Sequence, residues 1–198
     1  MTAPVRLIVM ALAMGAVLIA MAGLHAAQRA GGTEIRLDML AVDPRDPLLG
    51  HYVVIETPLH RLDLNAYGPV QTGFSRGSDV YVSLRRDSET GTWTAASVHD
   101  RHPGEGVVIR GKVERVMERV DQVTDADGER VRDRDSARSE LRVHYNLERY
   151  YASRDEALEL EYMREEARLR LIVSVSNSGN AVIKGLEIDG EDRLDRLF

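Results

Sequence analysis

Residues 7–24 read LIVMALAMGAVLIAMAGL, without a charge. A helix that is apolar around its whole circumference has no face to offer water, so this run demands a hydrophobic surround. At about 1.5 Å per residue, a helix from Leu7 to Ala27 is roughly 30 Å long, the thickness of a bilayer's hydrocarbon core. Arg6 and the terminal amine precede the run, which places the N-terminus in the cytoplasm and the rest of the chain outside. Arg29 and Arg36 follow it and weaken that bias a little. An A-x-A-like site at Ala20-Met21-Ala22 offers cleavage as an alternative, but the apolar run continues to Ala27, longer than the usual signal core. The expectation is therefore an anchor or uncleaved signal over 1–28 and an extracytoplasmic domain over 29–198.

The exported part is acidic. The whole chain carries a net charge of -6, and without residues 1–28 it holds 25 basic side chains against 32 acidic ones. Such a surface argues against nucleic-acid binding, which needs a basic face. There is no cysteine, which excludes disulfides, thiolate zinc sites and cysteine nucleophiles. Only Lys112 and Lys184 are lysines, which removes most lysine-based catalysis.

Hydrophobic alternation runs through the rest. EIRLDMLAV (34–42), HYVVIETP (51–58), SDVYVSLRR (78–86), TWTAASV (92–98), VVIRGKVERVMERV (107–120) and SELRVHYNLERYY (139–151) read as strands, although VERVMERV also fits a helix. RLRLIVSVS (168–176) and NAVIKGLEI (180–188) flank the turn sequence SNSGN and predict a hairpin. LHRLDLNAYG (59–68) reads as a short helix, and RDEALELEYMREEA (154–167) as a longer one opened by a Ser153/Glu156 capping box. Residues 121–139 are a charged, solvated excursion, and the tail DGEDRLDRLF is expected to be ragged. With no βαβ rhythm, the prediction is a mainly β domain, an antiparallel barrel or sandwich of about eight or nine strands with one or two short helices, behind a single N-terminal transmembrane helix.

Candidate chemistry is sparse. His99 and His102, with Asp100 and Glu105, could share a metal ion, but they lie in a loop rich in Gly and Pro and read by default as a solvated turn. DADGE (125–129) has Val123 where a calcium loop needs an oxygen ligand. No G-x-S-x-G elbow or phosphate-binding glycine loop is present. Tyr52, Tyr145, Tyr150 and Tyr151 fall in strand-like runs beside charges. They read as amphipathic rings at the rim of a core, or else as anchors for a partner.

The stretch AVDPRDPLLGHYVVIET (41–57) joins a stiff charged turn to a strand. Asp43 and Asp46 suit acceptors of backbone N–H groups in their own turn, and Arg45 suits a bidentate partner for a carboxylate such as Glu148. Gly50 supplies a φ > 0 position or a close backbone approach before the strand. Val42-Asp43-Pro44-Arg45-Asp46 followed by Gly50, His51, Tyr52, Ile55 and Thr57 resembles the lead-in and G-D-Y-x-x-L-x-Y box of the GDYXXLXY proteins, a bacterial family. Glycine and tyrosine match, Ile55 stands for the leucine, His51 replaces the aspartate and Thr57 the last tyrosine. SDVYVSL resembles the family's middle strand. RVHYNLERYYA resembles its second hallmark through Tyr145, Leu147, Glu148, Arg149, Tyr150 and Tyr151.

The resemblance implies an extracytoplasmic protein anchored by one pass in the bacterial inner membrane, with its C-terminal domain in the periplasm, often encoded beside a multi-pass membrane protein. It brings no activity. The expected function is a non-catalytic β-domain, a partner-binding or accessory subunit of a polytopic membrane protein, with no cofactor, metal or catalytic residue. Its motif residues are Asp43, Arg45, Asp46, Gly50, His51, Tyr52, Tyr145, Glu148 and Tyr150. The rival reading is an envelope hydrolase or a small-ligand or metal-binding protein using residues near 43–52 and 99–105. The two-segment hypothesis is that DPRD…GHY and HYNLERY pack side by side.

Overall fold

The computed structural model describes residues 3–40, 52–67, 73–119, 122–124, 130–132, 138–151 and 169–195. The apolar run forms a single helix, α1 (Ala3–Gly31), whose large side chains from Val5 to Leu24 are all exposed in the isolated chain. Its segment Pro4–Gly31 is long and apolar enough to cross a membrane.

The rest is mostly antiparallel β, as the alternation predicts. One sheet runs β1 (Thr33–Asp38), β11 (Leu169–Val175), β12 (Ala181–Ile188), β13 (Glu191–Leu194). A second, five-stranded sheet runs β3 (Arg61–Asp63), β9 (Arg138–His144), β6 (Val107–Arg119), β4 (Asp79–Arg86), β5 (Trp93–His99). Two ribbons complete the described strands: β2 (Tyr52–Val54) with β10 (Arg149–Tyr151), and β7 (Gln122–Thr124) with β8 (Arg130–Arg132). Both large sheets turn one face onto a common core. Ile35, Leu37, Leu171 and Val173 from the first meet Leu62, Val80, Val82, Ile109 and Leu141 from the second, all essentially inaccessible to water. The period-2 burial of β4 shows why the strand forms where it does: Val80, Val82 and Leu84 go inward and their neighbours outward.

Several expectations need correction. LHRLDLNAYG is not one helix. Pro58–His60 and Leu64–Tyr67 are 3₁₀ turns on either side of β3, and Leu62 pairs with Leu141 across the ladder. The i/i+3 spacing of Leu59 and Leu62 imitates a helix, but both reach the same core from a turn and a strand. The strand reading of VVIRGKVERVMERV holds over its described part, Val107–Arg119, where β9 pairs along β6 as far as Arg119. SELRVHYNLERYY is two strands, not one. The tail is not ragged over Glu191–Leu194, which pairs with β12. Asp189 (φ 51) and Gly190 (φ 92) make a two-residue turn with both φ values positive, the hairpin signal of an Asp-Gly pair. Short strands such as β3, β7, β8 and β13 raise the number above the eight or nine expected. The helix expected at 154–167 lies outside the described residues.

Candidate functional site

The two hallmark segments meet at one place. After β9 the chain turns at Asn146 (φ 68) and enters β10, which pairs with β2 so that Tyr151 faces Tyr52, Tyr150 faces Val53 and Arg149 faces Val54. The Ile55 N–H donates to the Glu148 carbonyl at 2.9 Å and extends the ribbon by one bond. The strand that follows the charged lead-in therefore lies beside the HYNLERYY segment. The lead-in itself, with Asp43, Arg45, Asp46, Gly50 and His51, lies outside the described residues, and Tyr52 is described by its backbone alone. The proposed Arg45–Glu148 pair falls there too.

Glu148 has other partners. Its Oε1 accepts the Tyr145 N–H at 2.7 Å, closing the turn on itself. The same oxygen lies 3.0 Å from His144 Nδ1 and 3.3 Å from His60 Nε2. His60 sits in the 3₁₀ turn after the box, where its Nδ1 accepts the Thr57 N–H at 2.9 Å and lies 3.0 Å from the Thr57 hydroxyl. An accepting Nδ1 leaves the proton on Nε2, on the side of the carboxylate. The Tyr145 ring stands edge-on to His60, centroids 5.6 Å apart. Thr57, His60 and Tyr145 are all buried, whereas the His144 side chain is about half exposed.

The electrostatics follow from this packing. Burial pushes the Glu148 carboxyl up. The His60 contact, the backbone N–H groups of Tyr145 and Glu148 and the nearby His144 imidazole outweigh burial and bring it down to about 2. Burial, with Tyr67 and Glu148 close by, drives the Tyr145 phenol well above its ordinary value. The Tyr145 hydroxyl finds no hydrogen-bond partner among the described residues. Acid, imidazole and hydroxyl thus stand in line, but among the described residues the hydroxyl bonded to His60 is that of Thr57, at 1% exposure. A reacting group cannot approach it in this arrangement. The cluster sets one ionised carboxylate, bonded to the Tyr145 N–H and 3.3 Å from His60 Nε2, between the turn that joins β9 to β10 and the turn that ends the box.

The remaining candidates are spread out. Tyr145 is a core ring, so it lines no open aromatic patch. Tyr150 is half-buried and its hydroxyl donates to Asp195. His99 Nε2 is bonded to Ser97 at 2.8 Å, and His102 Nδ1 accepts the Gly104 N–H at 3.0 Å. Among the described residues no three His, Asp or Glu side chains gather in metal-binding geometry. Sequence reasoning missed His60 and His144, and read Thr57 only as a replacement within the box. The i/i+4 spacing of His144 and Glu148 was a usable signal. Nothing local marks His60, which reaches Glu148 only through the fold.

The helix end is docked on the first sheet. Arg29 Nη2 donates to the carbonyls of Lys184 (2.6 Å) and Asp195 (2.7 Å), and the Ser174 hydroxyl donates to the Gln28 carbonyl at 3.0 Å. These features define a class: a β-rich domain of two packed antiparallel sheets carried on one membrane-length N-terminal helix. A GDYXXLXY protein family model matches residues 14–186, most of the chain, and the protein belongs to that family. No curated protein and no solved structure matches it. Within the box, Ile55 is a core residue at 1% exposure and Thr57 is bonded to His60.

Proposed function

We propose that this protein is a non-catalytic accessory subunit, held in the bacterial inner membrane by α1, with its β-domain on the periplasmic side, and that it binds a polytopic membrane protein. The observation that supports this reading is the distribution of apolar surface. Outside α1, the large apolar side chains exposed among the described residues are Leu40, Val116 and Leu194. On α1 the exposed set runs from Val5 to Leu24. Helices in lipid associate by close packing, and a helix with Ala11, Gly15, Ala22 and Ala26 among its residues allows close approach. Arg29 ties the helix to the β-domain, so a partner that grips α1 also positions the domain.

The test is photocrosslinking from positions along α1 in intact membranes, with identification of what is captured, beside fractionation of the full-length tagged chain. The reading expects the chain in the membrane fraction and crosslinks along one helix face to one multi-pass protein. Release of a shortened chain into the soluble fraction, or crosslinks to lipid alone all round the helix, would overturn it.

A further inference from the structure

The helix Pro4–Gly31 is about 42 Å long at 1.5 Å per residue, longer than the roughly 30 Å hydrocarbon core. The apolar run reaches Ala27, about 30 Å from Leu7, so on the anchoring reading the turn from Gln28 to Gly31 stands at the depth of the lipid headgroups. At that depth a groove of about 500 Å³ opens between α1, the β11–β12 hairpin and the turn after β9. Its polar lining includes His25, Arg29, Arg110, Asn146, Asn180 and Asp195.

This lining has a particular chemistry. Arg29 is half-buried and fixed by its bonds to the Lys184 and Asp195 carbonyls. Arg110 is held from behind by Asp79 at 2.8 Å, and its backbone N–H donates to the Gly179 carbonyl at 2.8 Å, which locks β6 to the β11–β12 turn. The Arg110 guanidinium also lies over the Tyr81 ring, 5.9 Å from its centroid, and the Asp195 carboxylate accepts the Tyr150 hydroxyl. The lining thus carries two arginines, one of them paired with Asp79, and one aspartate. Guanidinium forks recognise phosphate oxygens, side-chain amides add neutral donors, and a carboxylate receives an ammonium. The volume is ordinary for a small-molecule site.

We propose that this groove binds the headgroup of a phospholipid from the leaflet into which α1 emerges, the phosphodiester on Arg29 and Arg110 and an amine-bearing head toward Asp195. The groove lies beside the C-terminal turns of α1, where the anchoring reading puts the headgroups. It rests on the anchoring reading above, and the two fail differently. A failed anchor leaves the chain in the soluble fraction, whereas a failed groove leaves it in the membrane without lipid preference.

The full-length chain, released into mild detergent from vesicles holding equal parts of phosphatidylethanolamine, phosphatidylglycerol and a phosphate-free glycolipid, is examined by native mass spectrometry. The expected result is one retained phospholipid, ethanolamine favoured over glycerol, and little glycolipid. Arg110→Gln should lower retention about fivefold, the usual weight of one basic residue near an anionic surface, and Arg110→Lys should recover part of it. Asp195→Asn should remove the ethanolamine preference and keep phospholipid retention. An unchanged melting temperature for Arg110→Gln confirms that the fold is intact. Indiscriminate retention of all three lipids, retention unaltered by Arg110→Gln, or full displacement by millimolar inorganic phosphate would each overturn the proposal; the last would make the groove a free-phosphate site.

Discussion

The Glu148 carboxylate lies 3.3 Å from His60 Nε2, although 88 residues of chain separate the two, and it accepts the Tyr145 N–H at 2.7 Å with the same oxygen. Its folded pKa of about 2 lies below the ordinary 4.5, so the folded state favours the ionised form. The stability this contributes is complete above about pH 4.5 and is lost as the pH falls from there toward 2. Urea melts at about pH 6 and about pH 3 should show the wild type losing more stability on acidification than Glu148→Gln. Equal losses would mean the carboxylate is not the titrating group.

Glu148→Ala goes further, because it leaves the Tyr145 N–H without its acceptor in a half-buried turn. A cost of about 1–3 kcal/mol is expected at neutral pH, and it should be smaller near pH 2, where part of the wild-type carboxylate is protonated and accepts the N–H more weakly.

Tyr145→Phe should be neutral or slightly stabilising in thermal melts. The hydroxyl is buried and its removal takes away a group with no hydrogen-bond partner among the described residues, while the ring keeps its edge-on contact with His60. Tyr145→Ala, which empties the site, should cost about 3–5 kcal/mol. A large loss with Phe would mean that the hydroxyl has a partner of its own.

Glu187 is buried between two arginines, 2.7 Å from Arg36 Nε and 2.8 Å from Arg170 Nη1. Glu187→Gln removes the charge that Arg36 of β1 and Arg170 of β11 share, leaving Arg36 with Asp192 and Glu34 and Arg170 with Asp38. About 3 kcal/mol of destabilisation is expected, at the lower end for a buried pair because Arg36 keeps some contact with water. Chemical denaturation measures it directly.

Gly185 sits on β12 beside the register shift at Ile172/Val173, and a Cβ there would run into the Arg193 carbonyl and come within 2.8 Å of Leu194 Cα. The obstacle is backbone, which cannot swing aside as a side chain can. Gly185→Ala should cost about 1–3 kcal/mol and selectively raise amide exchange in β13.

Legibility in the sequence followed the range of the interaction. The hairpin flanking SNSGN was readable because turn chemistry and alternation agree within some twenty residues. β4 and β5 were readable for the same reason. β3 was hidden because three residues cannot display a period, and its strand character comes from Leu141, nearly eighty positions away. The tail strand was legible in Asp189-Gly190, but the density of charge in EDRLDR outweighed that signal. Edge strands carry charge because one side meets water. Of the candidate site, Glu148 and Tyr145 were identifiable as members of a hallmark segment, while their roles were not. An arginine was expected opposite Glu148, and the described partners are two histidines and a backbone N–H.

By itself the sequence determined the membrane-length helix, the antiparallel β class and the family, because each rests on a pattern repeated along neighbouring residues. Only the tertiary structure decided that Tyr145 is a core ring, that the buried Thr57 and His60 meet the half-buried Glu148, and that Arg29 joins the helix to the sheet. Those facts depend on burial and on contacts between residues far apart in the chain. Solvation and charge pairing act through distance in space, which a linear order of residues does not contain.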